Sequence, residues 1–178
     1  MAVYTKLSID EIKNITKKYF LGNLKKFQGI KEGIENTNYL IITSNGKYIL
    51  TIFEKRVNET DIPFFVNVMY HLNKNDFFCP RPIEDVNGNL INEINKKKYI
   101  IVTFLDGKGK TVPSVNNCLS LGKTLADMHN KTKNFNEIRS NNLSVDGWKL
   151  LFKRSCKDIS KNELNKLDDL LLFDVEDR

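Results

Sequence analysis

Residues 25–54 read KKFQGIKEGIENTNYLIITSNGKYILTIFE, and this stretch decides the fold. Ser44-Asn45-Gly46-Lys47 is a tight-turn signal, because Asn-Gly tolerates the positive φ that a hairpin turn requires. A longer segment that carries two glycines, residues 29–38, also separates two apolar runs. Three strands are therefore predicted, at residues 25–30, 38–43 and 47–54.

Helices are predicted on both sides of these strands. Upstream, Ser8 and Glu11 form a capping-box pattern that begins a helix over residues 8–20. Downstream, a helix is predicted over residues 60–74, with Pro63 in the first turn, where its missing N–H costs little.

The next part of the chain adds strands and then becomes helical. Asn87-Gly88 predicts a second hairpin, with strands near 83–86 and 89–93, followed by an apolar strand at 98–104. Leu105-Asp106-Gly107-Lys108-Gly109-Lys110 breaks this pattern and is the expected hinge. Apolar residues then recur at helical spacing, which predicts helices at 116–130 and 160–173.

Composition narrows the class of protein. The chain has 178 residues, with 40% hydrophobic and 28% charged residues, as in an ordinary globular protein. No apolar run approaches the roughly 18–20 residues that span a bilayer, and the N-terminus lacks a signal-peptide pattern. The three cysteines are far apart, which argues against a zinc site and favours a reducing cytoplasm.

The net charge of +6 comes from lysines interleaved with acids. Nucleic-acid binding rests on that charge alone, and a solvated Lys- and Asn-rich surface is the preferred interpretation.

The segment 29–38, GIKEGIENTN, is the first candidate site. Glycines let a backbone approach phosphate groups closely, Lys31 adds positive charge, and Asn36 and Asn38 add polar donors around Gly33. No Gly-Lys-Ser/Thr opens a helix, so this is not a Walker A loop. It matches the glycine-rich loop that joins two strands in kinases, although an ordinary glycine-bearing hairpin has the same local sequence.

The third predicted strand is the second candidate. In kinase-like folds this strand carries a lysine for the nucleotide phosphates, whereas Thr51 occupies that position here. Lys55, four residues on, would share the face of Thr51 if strand alternation continued, or would be a solvated strand-end lysine. The partner glutamate is also missing, since residues 62–72 contain no acid.

The third candidate is the end of the apolar strand, around Thr103 and Leu105. A strand that leads into a hinge can present backbone N–H and C=O groups to the edge of an adenine. The two histidines, His71 and His129, are isolated and lie in predicted helices, so they are interpreted as structural. Residues 142–148 are interpreted as a loop anchored by a buried Trp148, with packing near a substrate cleft as the functional alternative.

Taken in order, several stretches resemble bacterial homoserine kinases of the aminoglycoside-phosphotransferase-like branch of the protein-kinase-like fold. They are MAVYT, GIKEGIENTNY, YILTIFEKR, DIPFF, CPRP, IVTFLDG and LSVDGW. The resemblance implies transfer of the ATP γ-phosphate to L-homoserine with Mg²⁺. It also implies ATP contacts at Lys31, Gly33, Asn36, Asn38, Thr51, Lys55, Thr103 and Leu105.

The same resemblance defines the expected organisation. The fold class is α+β and protein-kinase-like: residues 1–105 form an N-terminal antiparallel-sheet lobe with a helix, and residues 106–178 form the hinge and first helices of an incomplete helical C-terminal lobe. The family's catalytic loop contains His-x-Asp, and no His-x-Asp occurs in this chain. Catalytic and metal-binding residues are therefore expected outside it, and the chain is expected to be an N-terminal portion.

Two other functions remain open at this point. One is a kinase of the same fold acting on another small molecule, such as choline, an aminoglycoside or methylthioribose. The other is a non-catalytic nucleotide-binding module. Neither a nucleic-acid nor a membrane partner is expected, and the oligomeric state is undetermined.

Overall fold

The protein is described by a computed structural model, which covers residues 3–141 and 144–155. Its centre is a five-stranded sheet of order β1-β2-β3-β5-β4, in which every neighbouring pair is antiparallel. The strands are β1 Leu24–Gly29, β2 Thr37–Thr43, β3 Lys47–Ile52, β4 Asn92–Ile94 and β5 Lys97–Thr103.

Two helices pack on opposite faces of this sheet. The first, α1, spans Ile9–Lys18 and begins at the predicted capping box, in which Ser8 N donates to Glu11 Oε2 at 2.7 Å. The second, α2, spans Ile62–Lys74 and follows a 3₁₀ turn at Glu59–Asp61. Both helices were predicted, because capping residues and apolar spacing are local signals.

Strand alternation explains why the sheet has two separate cores. In β3, Leu50 and Ile52 are fully buried among side chains of α1, whereas Ile49 packs against the cluster around α2. Successive strand residues point to opposite faces, so Thr51 shares the α2 side with Ile49. Thr51, the first candidate site residue of the third strand, therefore lies on the face of the sheet that α2 covers.

The predicted hairpin around Asn87-Gly88 is wrong. The buried carboxylate of Asp85 accepts hydrogen bonds from the backbone N–H groups of Asn87 and Asn89 at 2.9 and 2.8 Å and closes a tight loop there. The real hairpin joins β4 to β5 through Asn95 and Lys96, whose φ values are +51° and +61°. Asn-Lys is a weaker turn signal than Asn-Gly, and residues 83–86 form no strand.

The carboxylate of Asp85 is also paired with Lys18, whose Nζ lies 3.2 Å from Oδ2. Burial disfavours the charged form of this carboxyl group. The hydrogen bonds from Asn89 and Asn87 and the contact with Lys18 outweigh burial and hold the pKa of Asp85 well below its ordinary value. The loop is thus fixed to α1 by a charged group inside the fold.

The helical part of the chain follows the expected hinge. Helix α3 spans Val115–Lys131, close to the predicted 116–130, and begins with a capping box at Ser114. A fourth helix, α4 at Val145–Ser155, includes the second half of the segment predicted to be a loop, and it leaves Trp148 58% exposed rather than buried. The helix predicted at 160–173 lies outside the described residues.

The chain separates into two compact units, residues 1–137 and 138–178. The two-lobe boundary expected at 105/106 stays a prediction. No helix within the described residues is long and apolar enough to cross a membrane.

Candidate functional site

The loop at residues 30–36 joins β1 to β2 and is closed at its base by a hydrogen bond from Ile30 N to Asn38 O at 2.8 Å. Lys31 and Gly33 are both exposed. The φ of Gly33 is +102°, and no atom lies within 4 Å of the position that a Cβ would take. The loop therefore combines an exposed cationic side chain with a backbone position that only glycine adopts without strain.

Gly29 has a different role from Gly33. It ends β1, and a Cβ built on it would lie 2.8 Å from Val3 Cγ2. The absence of a side chain here admits the N-terminal segment rather than a phosphate group. Of these two glycines, only Gly33 faces open space.

Asn38 and Thr51 lie directly opposite each other in the β2–β3 pairing. Thr51 Oγ1 donates to Asn38 Oδ1 at 2.8 Å, and both side chains are half-buried on the α2 side of the sheet. This bond uses the oxygen of the Asn38 amide and leaves its NH₂ group as a potential donor. A neutral pair thus occupies the position of the usual lysine, and α2 carries no acid to pair with one.

Asn36 turns toward the base of the loop. Its Oδ1 accepts a hydrogen bond from Glu54 N at 3.3 Å, so the carbonyl end of this side chain is engaged inside the fold. Lys55 stands in an exposed turn after β3, which ends at Ile52 rather than at the predicted residue 54. Strand alternation therefore does not extend to Lys55.

A buried polar cluster lies on the α1 side of the sheet, directly behind the Asn38–Thr51 pair. Glu54 is its centre: Thr5 Oγ1 and Thr37 Oγ1 each donate to Oε1 at 2.7 Å, and Lys97 pairs with Oε2. Burial disfavours ionisation of Glu54. The hydrogen bonds from Lys97, Thr5 and Thr37 outweigh it and hold the pKa of Glu54 below its ordinary value.

Sequence reasoning missed this cluster. Glu54 is 43 residues from Lys97 and 49 from Thr5, so no local spacing connects them. The available signal was the isolated acid that directly follows the apolar run YILTIF. A charged residue next to a buried strand needs a partner, and that requirement alone could have singled out Glu54.

The end of β5 forms the opposite edge of the candidate site. Thr103 N donates to Arg81 O at 2.9 Å, and Arg81 N donates to Thr103 Oγ1 at 2.9 Å. Phe104 N donates to Lys47 O at 3.2 Å. Within the described part of the chain, Leu105 N has no hydrogen-bond partner, so of these backbone donors Leu105 N is the one available to a ligand.

Lys47 fixes the first residues after this edge. Its Nζ lies 2.7 Å from Asp106 Oδ1 and 5.2 Å from the centroid of the Phe104 ring. Both charged side chains are substantially exposed, so the ion pair orients the segment more than it stabilises the fold. Lys47 is therefore paired with Asp106 at one end of β3, whereas Thr51 lies at the other end of the strand.

The described residues bring Asn38 and Thr51 together on the α2 side of the sheet, beside the loop that carries Lys31 and Gly33, but they do not form a metal centre. Across residues 3–141 and 144–155, no group of three His, Cys, Asp or Glu side chains could hold a metal ion. His71 Nε2 lies 2.8 Å from Lys131 O and packs on Phe135, which agrees with a structural role. An open groove of about 440 Å³ between Tyr70 and Arg81 is lined by Lys74, Arg81 and Glu84 among others, and none of the predicted site residues lines it.

Three comparisons with known proteins bear on this arrangement. A family model described as "Phosphotransferase enzyme family" matches residues 26–172. A protein named homoserine kinase from Methylorubrum populi is 41% identical over 155 residues, which is 87% of this chain and 48% of the relative. One from Rhodospirillum rubrum is 42% identical over 157 residues, or 88% of this chain and 49% of the relative. The chain spans about half the length of the curated relatives it matches.

Solved structures support the same fold. A spectinomycin phosphotransferase in complex with ADP and spectinomycin superposes with a TM-score of 0.66 at 13% identity, covering 88% of this chain and 48% of that one. An amicoumacin kinase with AMP-PNP and Ca²⁺ gives 0.54 at 18% identity, covering 74% and 42%. These identities show the fold alone. They confirm the predicted α+β, protein-kinase-like class, and the resemblance to homoserine kinases is confirmed at the level of sequence.

Proposed function

The chain belongs to the phosphotransferase enzyme family, and on that premise we propose that its sheet is the nucleotide-binding lobe of an ATP-dependent homoserine kinase. The observation that supports the proposal is the arrangement of the candidate residues along β3 on the α2 side of the sheet. The open glycine loop and the Asn38–Thr51 pair lie at one end of β3. Leu105 N, which has no hydrogen-bond partner among the described residues, lies near the other. The proposal extends the lobe over residues 1–105, with the hinge after it.

The position of the nucleotide follows from the register of the sheet. Tyr48 pairs with Thr103, and Thr51 lies three residues further along β3. At about 3.4 Å per residue this separates the two ends by about 10 Å, a length that an extended nucleoside triphosphate can cover. The adenine then lies by Thr103 and Leu105 and the phosphates lie under Lys31 and Gly33.

Each candidate side chain has a distinct task in this arrangement. Lys31 supplies mobile positive charge, and the backbone N–H groups around Gly33 bind phosphate oxygens. The Asn38 NH₂ group, oriented by Thr51, supplies a neutral donor where a lysine is usual. Asn36 acts through the base of the loop, and Lys55 is the first cationic residue after β3 and is exposed.

Mg²⁺ is proposed to arrive with the nucleotide phosphates. Mg²⁺ commonly uses one or two carboxylates together with substrate phosphates. The described residues contain no group of three His, Cys, Asp or Glu side chains that could hold a metal ion, so the carboxylates that would hold Mg²⁺ are proposed to lie outside them. The reaction itself, phosphoryl transfer to the hydroxyl of L-homoserine, needs groups beyond these residues.

L-homoserine is the proposed substrate because relatives at 41% and 42% identity carry the name homoserine kinase. The alternative is a kinase of the same fold that acts on another small alcohol, favoured by the likeness to a spectinomycin phosphotransferase. Both the homoserine kinase and the alternative kinase are proposed to be cytoplasmic and to bind a small-molecule substrate.

The test is phosphoryl transfer by the protein that the complete reading frame around these 178 residues encodes. We expect ATP·Mg²⁺-dependent phosphorylation of L-homoserine, with choline and spectinomycin as matched alternative acceptors. If the protein phosphorylates choline or spectinomycin but not homoserine, the proposed substrate is wrong and the proposed kinase activity stands. ATP binding without turnover on any acceptor would favour the non-catalytic module.

A further inference from the structure

The N-terminal segment, residues 3–7, runs beside the loop that carries Gly33. Tyr4 Oη donates a hydrogen bond to Ile34 O at 3.0 Å, thirty residues along the chain. Val3 packs against the bare backbone of Gly29 at the start of the same loop. The segment therefore contacts the loop at its tip and at its base.

The segment is itself firmly anchored at one point. The backbone N–H groups of Tyr4 and Thr5 both donate to Thr37 Oγ1, at 2.9 and 3.1 Å. Thr37 is fully buried and donates in turn to Glu54. Since Thr37 immediately precedes Asn38, one end of this network is covalently joined to the nucleotide side of the sheet.

Thr5 and Glu54 extend the anchor to a second strand. Lys97, at the start of β5, donates to Thr5 Oγ1 at 2.7 Å and pairs with the Glu54 carboxylate. Tyr39 adds a further tie, because its Oη donates to Thr5 O at 2.9 Å. The segment is thus fixed to β2 and β5, and the Tyr4 side chain extends outward to the tip of the loop.

The loop has little else to restrain it. Gly33 has no neighbour within 4 Å of its missing Cβ, and the Ile34 side chain is 69% exposed. Ordering a free loop around phosphate groups costs conformational entropy, and a loop already held in place avoids part of that cost. The hydrogen bond from Tyr4 holds the residue next to Gly33.

We propose that residues 3–7 form a strap that positions the phosphate-binding loop, and that Tyr4 is the positioning residue at its tip. The proposal rests on the proposed function for the identity of the ligand. It makes Tyr4, which lies outside both the loop and the strands, a determinant of ATP affinity. Tyr4 touches the loop backbone and not the nucleotide, so its effect is confined to interactions that the loop makes with phosphate groups.

Tyr4→Phe is the perturbation that isolates this contact. The ring is 56% exposed and only the hydroxyl is removed, so the core is unchanged. One hydrogen bond is expected to alter ATP affinity about two- to tenfold. Adenosine, which has no phosphate group for the loop to bind, is expected to bind equally well. Tyr70→Phe is the matched control, because Tyr70 is similarly exposed and lies in α2.

Two measurements on the 178-residue chain test the strap. The first is the backbone ¹⁵N order parameter of residues 32–35 without nucleotide, which is expected to fall in Tyr4→Phe and not in Tyr70→Phe. The second is calorimetric titration with ATP·Mg²⁺ and with adenosine. We expect weaker ATP binding and unchanged adenosine binding in Tyr4→Phe alone.

The outcomes separate the strap from the proposed function. Unchanged order parameters in Tyr4→Phe overturn the strap, whether or not the chain binds ATP. Lower order parameters with equal ATP affinity overturn the positioning role, as does an equal loss of ATP and adenosine binding. No ATP binding by the unsubstituted chain overturns the proposed nucleotide site, while the order parameters still decide whether Tyr4 restrains the loop.

Discussion

Thr37→Val is the substitution that most sharply tests the buried polar cluster. Valine has nearly the shape of threonine, so the change removes a hydroxyl group without leaving a cavity. Thr37 is fully buried, and its hydroxyl accepts from two backbone N–H groups and donates to the Glu54 carboxylate. All three hydrogen bonds are lost together.

The magnitude follows from those three contacts. A hydrogen bond to a charged group contributes about 1.5–3 kcal/mol and a neutral one about 0.5–1.5 kcal/mol. Because the three bonds share one hydroxyl group, they are not independent, and the expected loss is about 3 kcal/mol. That is a large fraction of the stability of a domain of this size.

Urea unfolding followed by circular dichroism measures the loss. Thr51→Val is the matched control, since it removes the same atoms from a half-buried site with a single neutral bond to Asn38. We expect about 1 kcal/mol for the control. Equal midpoints and slopes for the two variants would refute the view that Glu54 and the N-terminal segment are held through Thr37.

Two further predictions concern the loop and the dependence of stability on pH. Gly33→Ala places a side chain at φ +102°, which is strained in any surroundings, so ATP affinity measured by calorimetry should fall about tenfold. Gly88→Ala, with φ +80° in a turn without a predicted site residue, should leave that affinity unchanged. The folded pKa values of Glu54 and Asp85 are lowered, so their contribution to stability is present above their unfolded pKa values near 4 and is lost as pH falls through the folded values. The thermal unfolding midpoint should therefore fall when the pH is lowered below about 4. The Asp85→Asn variant should have a lower midpoint at neutral pH, and its midpoint should fall less at acid pH.

Local signals explain what the sequence could predict. The Asn45-Gly46 turn and the Ser8 capping box each lie within four residues, and both features are present where expected. Helix α4 was missed because Gly147 and the single tryptophan favoured a loop. Ser144 in fact accepts from Gly147 N at 3.2 Å and begins the helix.

The candidate site was predictable only residue by residue. Asn38 and Thr51 were each singled out, but their pairing depends on strand register, which fixes them opposite each other. Asn36 was singled out as a polar donor of the loop, but the hydrogen bond that its Oδ1 accepts from Glu54 N joins segments that local sequence does not connect. Contacts between segments far apart in sequence, such as Tyr4 with Ile34, need the folded chain to appear at all.

The central claim is that a nucleotide binds on the α2 side of the sheet, between the glycine loop and the end of β5. A titration of the ¹⁵N-labelled chain with AMP-PNP·Mg²⁺, followed by amide chemical shifts, tests it most directly. We predict saturable shifts at residues 31–38, at Thr51 and at residues 103–105. Saturable shifts confined to the groove between Tyr70 and Arg81, or no saturable shifts, would contradict the claim.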